Sequence, residues 1–245
     1  MSNSYIPKRA VFIYAHADDI EFGVAGTAAY WAQNGCDVYY ILITDSGSGS
    51  HDLEMTRERL AEIRKVEQQR SADIVGVKEV VFLGYTDGQL EPTLPLRKEL
   101  VKWIRHFRPN VVVCGDPTTV FSNNSRINHP DHRAAATAAI DAVFPSADSH
   151  LIFPELIDAG FMPHKVNYVY ISYPNRDANI YIDITEVLDL KIEALRAHES
   201  QLKDWDPEKP LREWSAGVGK QVGMAHAEMY RQITLKPDEP EDQEG

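Results

Sequence analysis

Two short clusters in this chain carry side chains able to hold a metal ion or move a proton. The first is His16-Ala17-Asp18-Asp19, with Glu21 two residues on; the second is His129-Pro130-Asp131-His132. Two imidazoles and one carboxylate are a frequent ligand set for catalytic zinc, and they leave a coordination position for water. Each cluster alone also has a plainer reading. Acidic loops often cap helices, Glu21 and Asp131 suit the positive end of a helix dipole, and Pro130 suits a first helical turn. What sets the two clusters apart is their position, since each ends the stretch that leaves the carboxyl end of an apolar, strand-like run.

Val11 to Ala15 is β-branched and aromatic with no polar face, the signature of a buried strand, and it stops at His16. An apolar-periodic helix follows through Trp31 and stops at Asn34-Gly35. Asp37 to Ile43 is a second buried strand, and Thr44 to Ser50 a glycine- and serine-rich loop that reads as a flexible lid. Leu53 to Val75 has a helical period, Glu79 to Leu83 is a third strand, and Leu96 to Phe107 a further helix. Asn110 to Cys114 is a fourth strand; a polar loop over Asp116 to Asn128 then leads to the second cluster and an alanine-rich helix reaching Val143.

This alternation predicts an α/β fold, Rossmann-like, three layers α/β/α around a mainly parallel sheet. In such sheets ligands gather at the carboxyl ends of the strands, and the first and fourth strands can be neighbours at the switch point. That adjacency would bring the two clusters together. Further on, Val166 to Ser172 and Asn179 to Ile184 read as strands, Thr185 as the N-cap of a long helix over Glu186 to Lys203, and Met224 to Met229, with His226, as a packed helix. Residues 1–235 read as a single domain and the acidic, proline-bearing stretch 236–245 as a disordered tail.

Composition narrows the partners. A net charge of −12 over 245 residues argues against nucleic acid. No apolar run approaches the roughly 18 residues of a membrane span, and Met1 to Arg9 lacks the apolar core of a signal peptide. Cys36 and Cys114 read as buried free thiols. The expectation is a soluble cytoplasmic protein without a membrane partner.

Beyond spacing, the residues carry a likeness. Ala15-His16-Ala17-Asp18-Asp19-Ile20-Glu21-Phe22-Gly23, continuing through Val24-Ala25-Gly26-Thr27, resembles the Ala-His-Pro-Asp-Asp signature of the LmbE-like (PIG-L-like) zinc-dependent N-acetylglucosamine deacetylases. His129-Pro130-Asp131-His132 matches their second motif. Arg64-x-x-Glu67, Phe82-Leu83-Gly84-Tyr85-x-Asp87-Gly88, Asp183-Ile184-Thr185, Lys191 and His198-Glu199-Ser200-Gln201 are similar to further stretches of the family, in the same order.

The resemblance implies that His16, Asp19 and His132 bind one Zn2+ per chain, with Fe2+ as the alternative metal. It implies Asp18 as the general base, and His129 as the group that stabilises the oxyanion or protonates the leaving amine. Asp131 would orient the His129 imidazole and favour its charged form. Arg64 and Asp87 match positions that contact sugar hydroxyls, and His198 a position near the pocket. The implied reaction removes acetate from an N-acetylglucosamine-containing small molecule, such as a malate conjugate or a chito-oligosaccharide. An amidase acting on a sugar–cysteine conjugate would use the same machinery, and a non-hydrolytic metal-dependent binding or lyase module would use the same sheet. Relatives of this kind assemble as trimers or hexamers, so a homo-oligomer is expected. Two departures stand out. Ala17 replaces the family's proline, which predicts a looser loop, and no acidic residue of the loop after strand two matches the family's.

Overall fold

In the computed structural model, which describes residues 5–174 and 178–237, one seven-stranded sheet runs through the molecule. Its strands are β1 (Arg9–Tyr14), β2 (Asp37–Thr44), β3 (Glu79–Tyr85), β4 (Val111–Cys114), β7 (Tyr168–Ser172), β8 (Ile180–Asp183) and β9 (Ala227–Thr234). A separate hairpin pairs β5 (Phe121–Asn123) with β6 (Arg126–Ile127). The order across the sheet is β3-β2-β1-β4-β7-β9-β8. The first five of these are mutually parallel, and β9 runs antiparallel to both neighbours. The predicted α/β class and mainly parallel sheet are what the chain adopts.

Alternation along β1 explains the layers. Ala10, Phe12 and Tyr14 face one core, and Val11, Ile13 and the following Ala15 face the other, because successive side chains of a strand point to opposite faces. The first core packs α2 (Ala25–Gln33), α3 (Arg57–Val75) and α7 (Leu188–Arg196), with fully buried Trp31 against Phe12 and Tyr170. The second packs α4 (Leu94–Phe107) and α5 (Pro130–Asp141) through Leu100, Ile104, Ala135 and Ala139. Alanine lets α5 lie close to the sheet. β1 and β4 are adjacent, with Ile13 opposite Cys114, so the two clusters emerge side by side.

Several elements differ from the periodicity. The helix after the first cluster is two helices, α1 (Asp19–Gly23) and α2, broken at Val24. The break is held from outside. Lys191 Nζ and Tyr173 OH both donate to Gly23 O, while Glu228 accepts the Gly26 and Thr27 N–H groups at the start of α2. A Cβ on residue 26 would stand 2.8 Å from the Glu228 carboxylate, so only glycine fits there. Helix α3 starts at Arg57 rather than Leu53, because Thr56 caps it by accepting the Arg59 N–H. The long helix over 186–203 is likewise interrupted. A 3₁₀ turn (Thr185–Val187) precedes α7, and α8 (Glu199–Leu202) follows a break at His198. Thr185 does not cap it; its hydroxyl donates to Asp183 Oδ1.

Met224–Met229 is not a helix either. His226 precedes β9, whose Ala227 and Tyr230 are buried as the strand fills the gap between β7 and β8. The alanine-rich helix α5 ends at Asp141 and passes into a π-helical stretch (Ala142–Ala147), and short α6 (Glu155–Asp158) and α9 (Glu208–Gly219) complete the elements. The predicted acidic tail lies outside the described residues except for Lys236 and Pro237. Among the described residues no helix is long and apolar enough to cross a membrane.

Candidate functional site

The two loops bring donor atoms of three residues together, with one Asp19 carboxylate oxygen towards each imidazole. His16 Nδ1 and His132 Nε2 are 3.2 Å apart, Asp19 Oδ1 is 3.0 Å from His132 Nε2, and Asp19 Oδ2 is 3.5 Å from His16 Nδ1. Ligands about 2.0–2.1 Å from a tetrahedral metal stand about 3.3 Å from one another, so these edges match a metal-sized vertex set. His129 adds a third imidazole, and two overlapping groups (His16, His129 and His132; His16, Asp87 and Asp131) keep their donor atoms within 4.8 Å. The residues present therefore fit a divalent ion.

Electrostatics point the same way. Burial disfavours charge on His16, yet Asp19, Asp131 and Asp87 outweigh it and push the imidazole up to about 12. Burial likewise opposes ionisation of Asp19, but His132 and His16 hold its carboxyl well below the usual range. Burial opposes ionisation of Asp87 too, but His16 and the Ser48 N–H outweigh it and bring its carboxyl down to about 2. So many low-lying carboxylates in one buried spot call for positive charge, whether protons or a metal.

Asp87 and Asp131 sit differently from what the resemblance implies. Asp87 is buried; its Oδ1 lies 3.0 Å from His16 Nε2 and its Oδ2 accepts the Ser48 N–H. Asp131 is fully buried, 3.3 Å from His16 Nε2, and accepts the Gly88 and Leu90 N–H groups. Its Oδ1 stands 3.9 Å from His129 Nδ1. Instead the Asp131 backbone N–H donates to His129 Nδ1 at 3.2 Å. With burial and the His16 charge both lowering it, His129 is held below its ordinary value and is not the charged group expected from the sequence. Its Nδ1 accepts, which leaves the proton on Nε2, and the side chain is two-fifths exposed.

Arg64 also has another position. It is buried, and its guanidinium donates to Asp18 Oδ2 at 2.7 Å, to Ala17 O and to Ser46 O, rather than standing free for a sugar hydroxyl. Asp18 itself has φ 86°, in the left-handed region, which aspartate tolerates better than most residues. Burial pushes its carboxyl up and Arg64 pulls it down, leaving it at about 6. His198 is fully buried behind this loop, its Nε2 3.4 Å from Glu21 Oε2. Glu21 also accepts from Gln68 Nε2 and Ser71 Oγ. The histidine thus belongs to the support of the first cluster, and Glu21 is no exposed first-turn charge.

Sequence reasoning passed over Ser46, Gln68, Asp45 and Asn128. Gln68 Oε1 accepts the Asp18 N–H, and Asn128 Oδ1 is 3.1 Å from His132 Nδ1. Asp45 Oδ1 accepts from Arg57, Gly47 and Asp87 N–H groups. The loop after β2 is therefore anchored at its start, with Ser46 and Gly47 buried, and is not a flexible lid there. Asp45, directly after the strand, was the one legible signal; Gln68 lies mid-helix, where nothing marks it.

A family model described as PIG-L, GlcNAc-PI de-N-acetylase, matches residues 11–143, a span that contains both clusters. The diacetylchitobiose deacetylase of Thermococcus kodakarensis is 36% identical over 227 residues, covering 91% of this chain and 82% of its own. A probable N-acetyl-alpha-D-glucosaminyl L-malate deacetylase 2 of Bacillus anthracis is 28% identical over 233 residues, 91% of this chain and 94% of that protein. Among solved structures, the N,N'-diacetylchitobiose deacetylase from Pyrococcus horikoshii, in complex with its inhibitor MPG, matches with a TM-score of 0.86 and 30% identity. That match covers 94% of this chain and 87% of the other.

Proposed function

We propose, from the premise that the chain belongs to the PIG-L family of GlcNAc-PI de-N-acetylases, that it is a zinc-dependent hydrolase removing acetate from an N-acetylglucosamine-containing small molecule. The observation that carries this reading is the convergence of His16, Asp19 and His132 donor atoms at 3.0–3.5 Å beside Asp18 and His129. Of the two relatives named above, the one with the higher identity is a diacetylchitobiose deacetylase, which favours an N-acetylated chito-disaccharide over a malate conjugate.

Zinc held by His16, Asp19 and His132 supplies Lewis acidity and lowers the pKa of water toward about 7; Fe2+ suits the same donors. Asp18 takes the proton of the attacking water. With a carboxyl near 6 it is ionised at neutral pH yet close enough to the working pH to be an effective base. His129 donates its Nε2–H to the oxyanion that forms on the acetyl carbonyl, from the exposed side by which substrate enters. Asp18 then returns its proton to the nitrogen as the C–N bond breaks, giving acetate and a free amine. Asp87 and Asp131 accept the His16 Nε2–H and so fix which ring nitrogen faces the metal. The same reading takes residues 1–235 as one catalytic unit and the protein as a cytoplasmic homo-oligomer, trimer or hexamer.

The test is acetate release from N-acetylglucosamine, its malate conjugate and diacetylchitobiose, with and without chelator and added zinc. Chelator-sensitive release, fastest with diacetylchitobiose, is expected. Protein that holds one zinc per chain and releases acetate from none of the three would overturn the substrate class.

A further inference from the structure

A loop that carries a general base must hold it still, and this chain lacks the proline that would stiffen residue 17. An alanine there leaves a backbone N–H to be satisfied. In the structure that N–H donates to Ser46 Oγ at 2.9 Å, and Ser46 is 97% buried. Ser46 has φ 56°, so the residue itself is in the left-handed region, as Asp18 is across from it. Backbone conformations of this kind persist only where the surroundings over-determine them.

The surroundings here do so. Thr44 ties the base of the two loops together, with its N–H and hydroxyl both donating to Ala15 O. Its hydroxyl oxygen also accepts the Ser46 N–H. Arg64 bridges the next level, donating to Ser46 O, Ala17 O and Asp18 Oδ2 from one guanidinium. Gln68, one turn along α3, accepts the Asp18 N–H. Ala15, Ala17 and Asp18 are thereby bonded to the end of β2, to the loop after it and to α3, and the His16 N–H between them is held by Asp19 Oδ2.

We infer that Ser46, with Arg64, is a positioning residue for the general base: the Ala17 N–H to Ser46 Oγ bond replaces the missing proline in fixing the direction of the Asp18 carboxylate. This rests on the reading of Asp18 as the base. The expectation of a looser loop is thereby reversed, since a hydrogen bond stands where a ring would. It also makes the two solutions mutually exclusive. A proline at 17 has no N–H to give, and its ring carbon would occupy the place now filled by the Ser46 hydroxyl.

The experiment uses the zinc-loaded full chain and four variants: S46A, A17P, the double variant A17P/S46A, and D18N as a reference. Readouts are kcat and KM for acetate release from diacetylchitobiose, zinc content, and hydrogen exchange of the Ala17 amide. S46A should lose kcat about five- to tenfold, the worth of one hydrogen bond, with KM and zinc content unchanged and Ala17 exchange accelerated. A17P should be worse than the double variant, which regains most of the wild-type kcat because the ring has room once the hydroxyl is gone. An S46A protein with wild-type kcat and unchanged Ala17 exchange would overturn the inference, and so would a double variant no better than A17P. If D18N keeps its rate while S46A still speeds Ala17 exchange, the clamp stands and the base assignment falls.

Discussion

The loop 16–18 and the hairpin 121–127 both lead into the same metal-sized vertex set, yet one is buried and bonded along its length and the other stands in solvent. On the first side His16 and Ala17 are nearly inaccessible, and Asp18, Glu21, Arg64 and Gln68 interlock behind them. On the second, Phe121 and Ile127 pair across the hairpin with two-thirds or more of their surface exposed, and His129 follows at the open edge. A single hydrogen-bonded residue, Asn128, ties that hairpin to the His132 ring. The difference separates two tasks. On the proposed function, the donor atoms and the base take their fixed geometry from burial and multiple bonds, and the part of the substrate beyond the acetyl group meets the exposed side.

The largest expected effect lies on the buried side. D19A and H132A should each empty the metal site and reduce acetate release to background, measured by zinc per chain; full zinc in both would remove them as ligands. Next comes D18N, which should keep zinc and lose about 10²–10⁴-fold in kcat, the usual worth of a general base. A normal rate would mean that the buried side holds the metal without supplying the base. On the open side F121S should leave zinc content and Tm unchanged and raise KM for diacetylchitobiose more than for N-acetylglucosamine; a fall in Tm would show that the hairpin packs as core.

The smallest effect lies away from both. His164 Nε2 donates to Pro109 O at 2.7 Å, and burial lowers its pKa. The folded protein therefore keeps it neutral while the unfolded chain takes a proton near pH 6.5, so its contribution is intact above about 6.5 and is lost as pH falls toward the folded value. In urea unfolding between pH 7 and 5, H164Q should lose less stability on acidification than the wild type. An identical slope would assign the loss to other groups.

How much of this was legible depends on distance along the chain. β1 and the first cluster could be read because the apolar run and its polar ending are contiguous; β4 is separated from the second cluster by the loop over Asp116 to Asn128, and the switch-point rule placed the two clusters side by side. Roles that depend on non-local partners were read less well. Arg64 and Asp87 lie in stretches similar to the family's, but whether a guanidinium meets a sugar or Asp18 is decided by α3 packing against residue 18. The resemblance put His198 near the pocket, but its partner, Glu21, lies far away in sequence and could not be read. β9 was misread for a related reason. Its Ala227 and Met229 suit a helix, and what makes it a strand is the gap between β7 and β8 that it fills.

β9 also carries Glu228, whose carboxylate accepts from Gly26, Thr27, Lys191 and Tyr230. The start of the second helix, just beyond the first cluster, is thus completed by the last described strand. On a ribosome, which releases the chain from its amino end, the His16–Asp19 loop is made long before Glu228 and has no finished scaffold until residue 228 has emerged. Until then Lys191 lacks its counter-charge and β7 an edge partner. A stop codon or a bulky fusion placed before Ala227 would therefore be felt two hundred residues upstream, as a nascent chain that has its ligands in sequence but not in register.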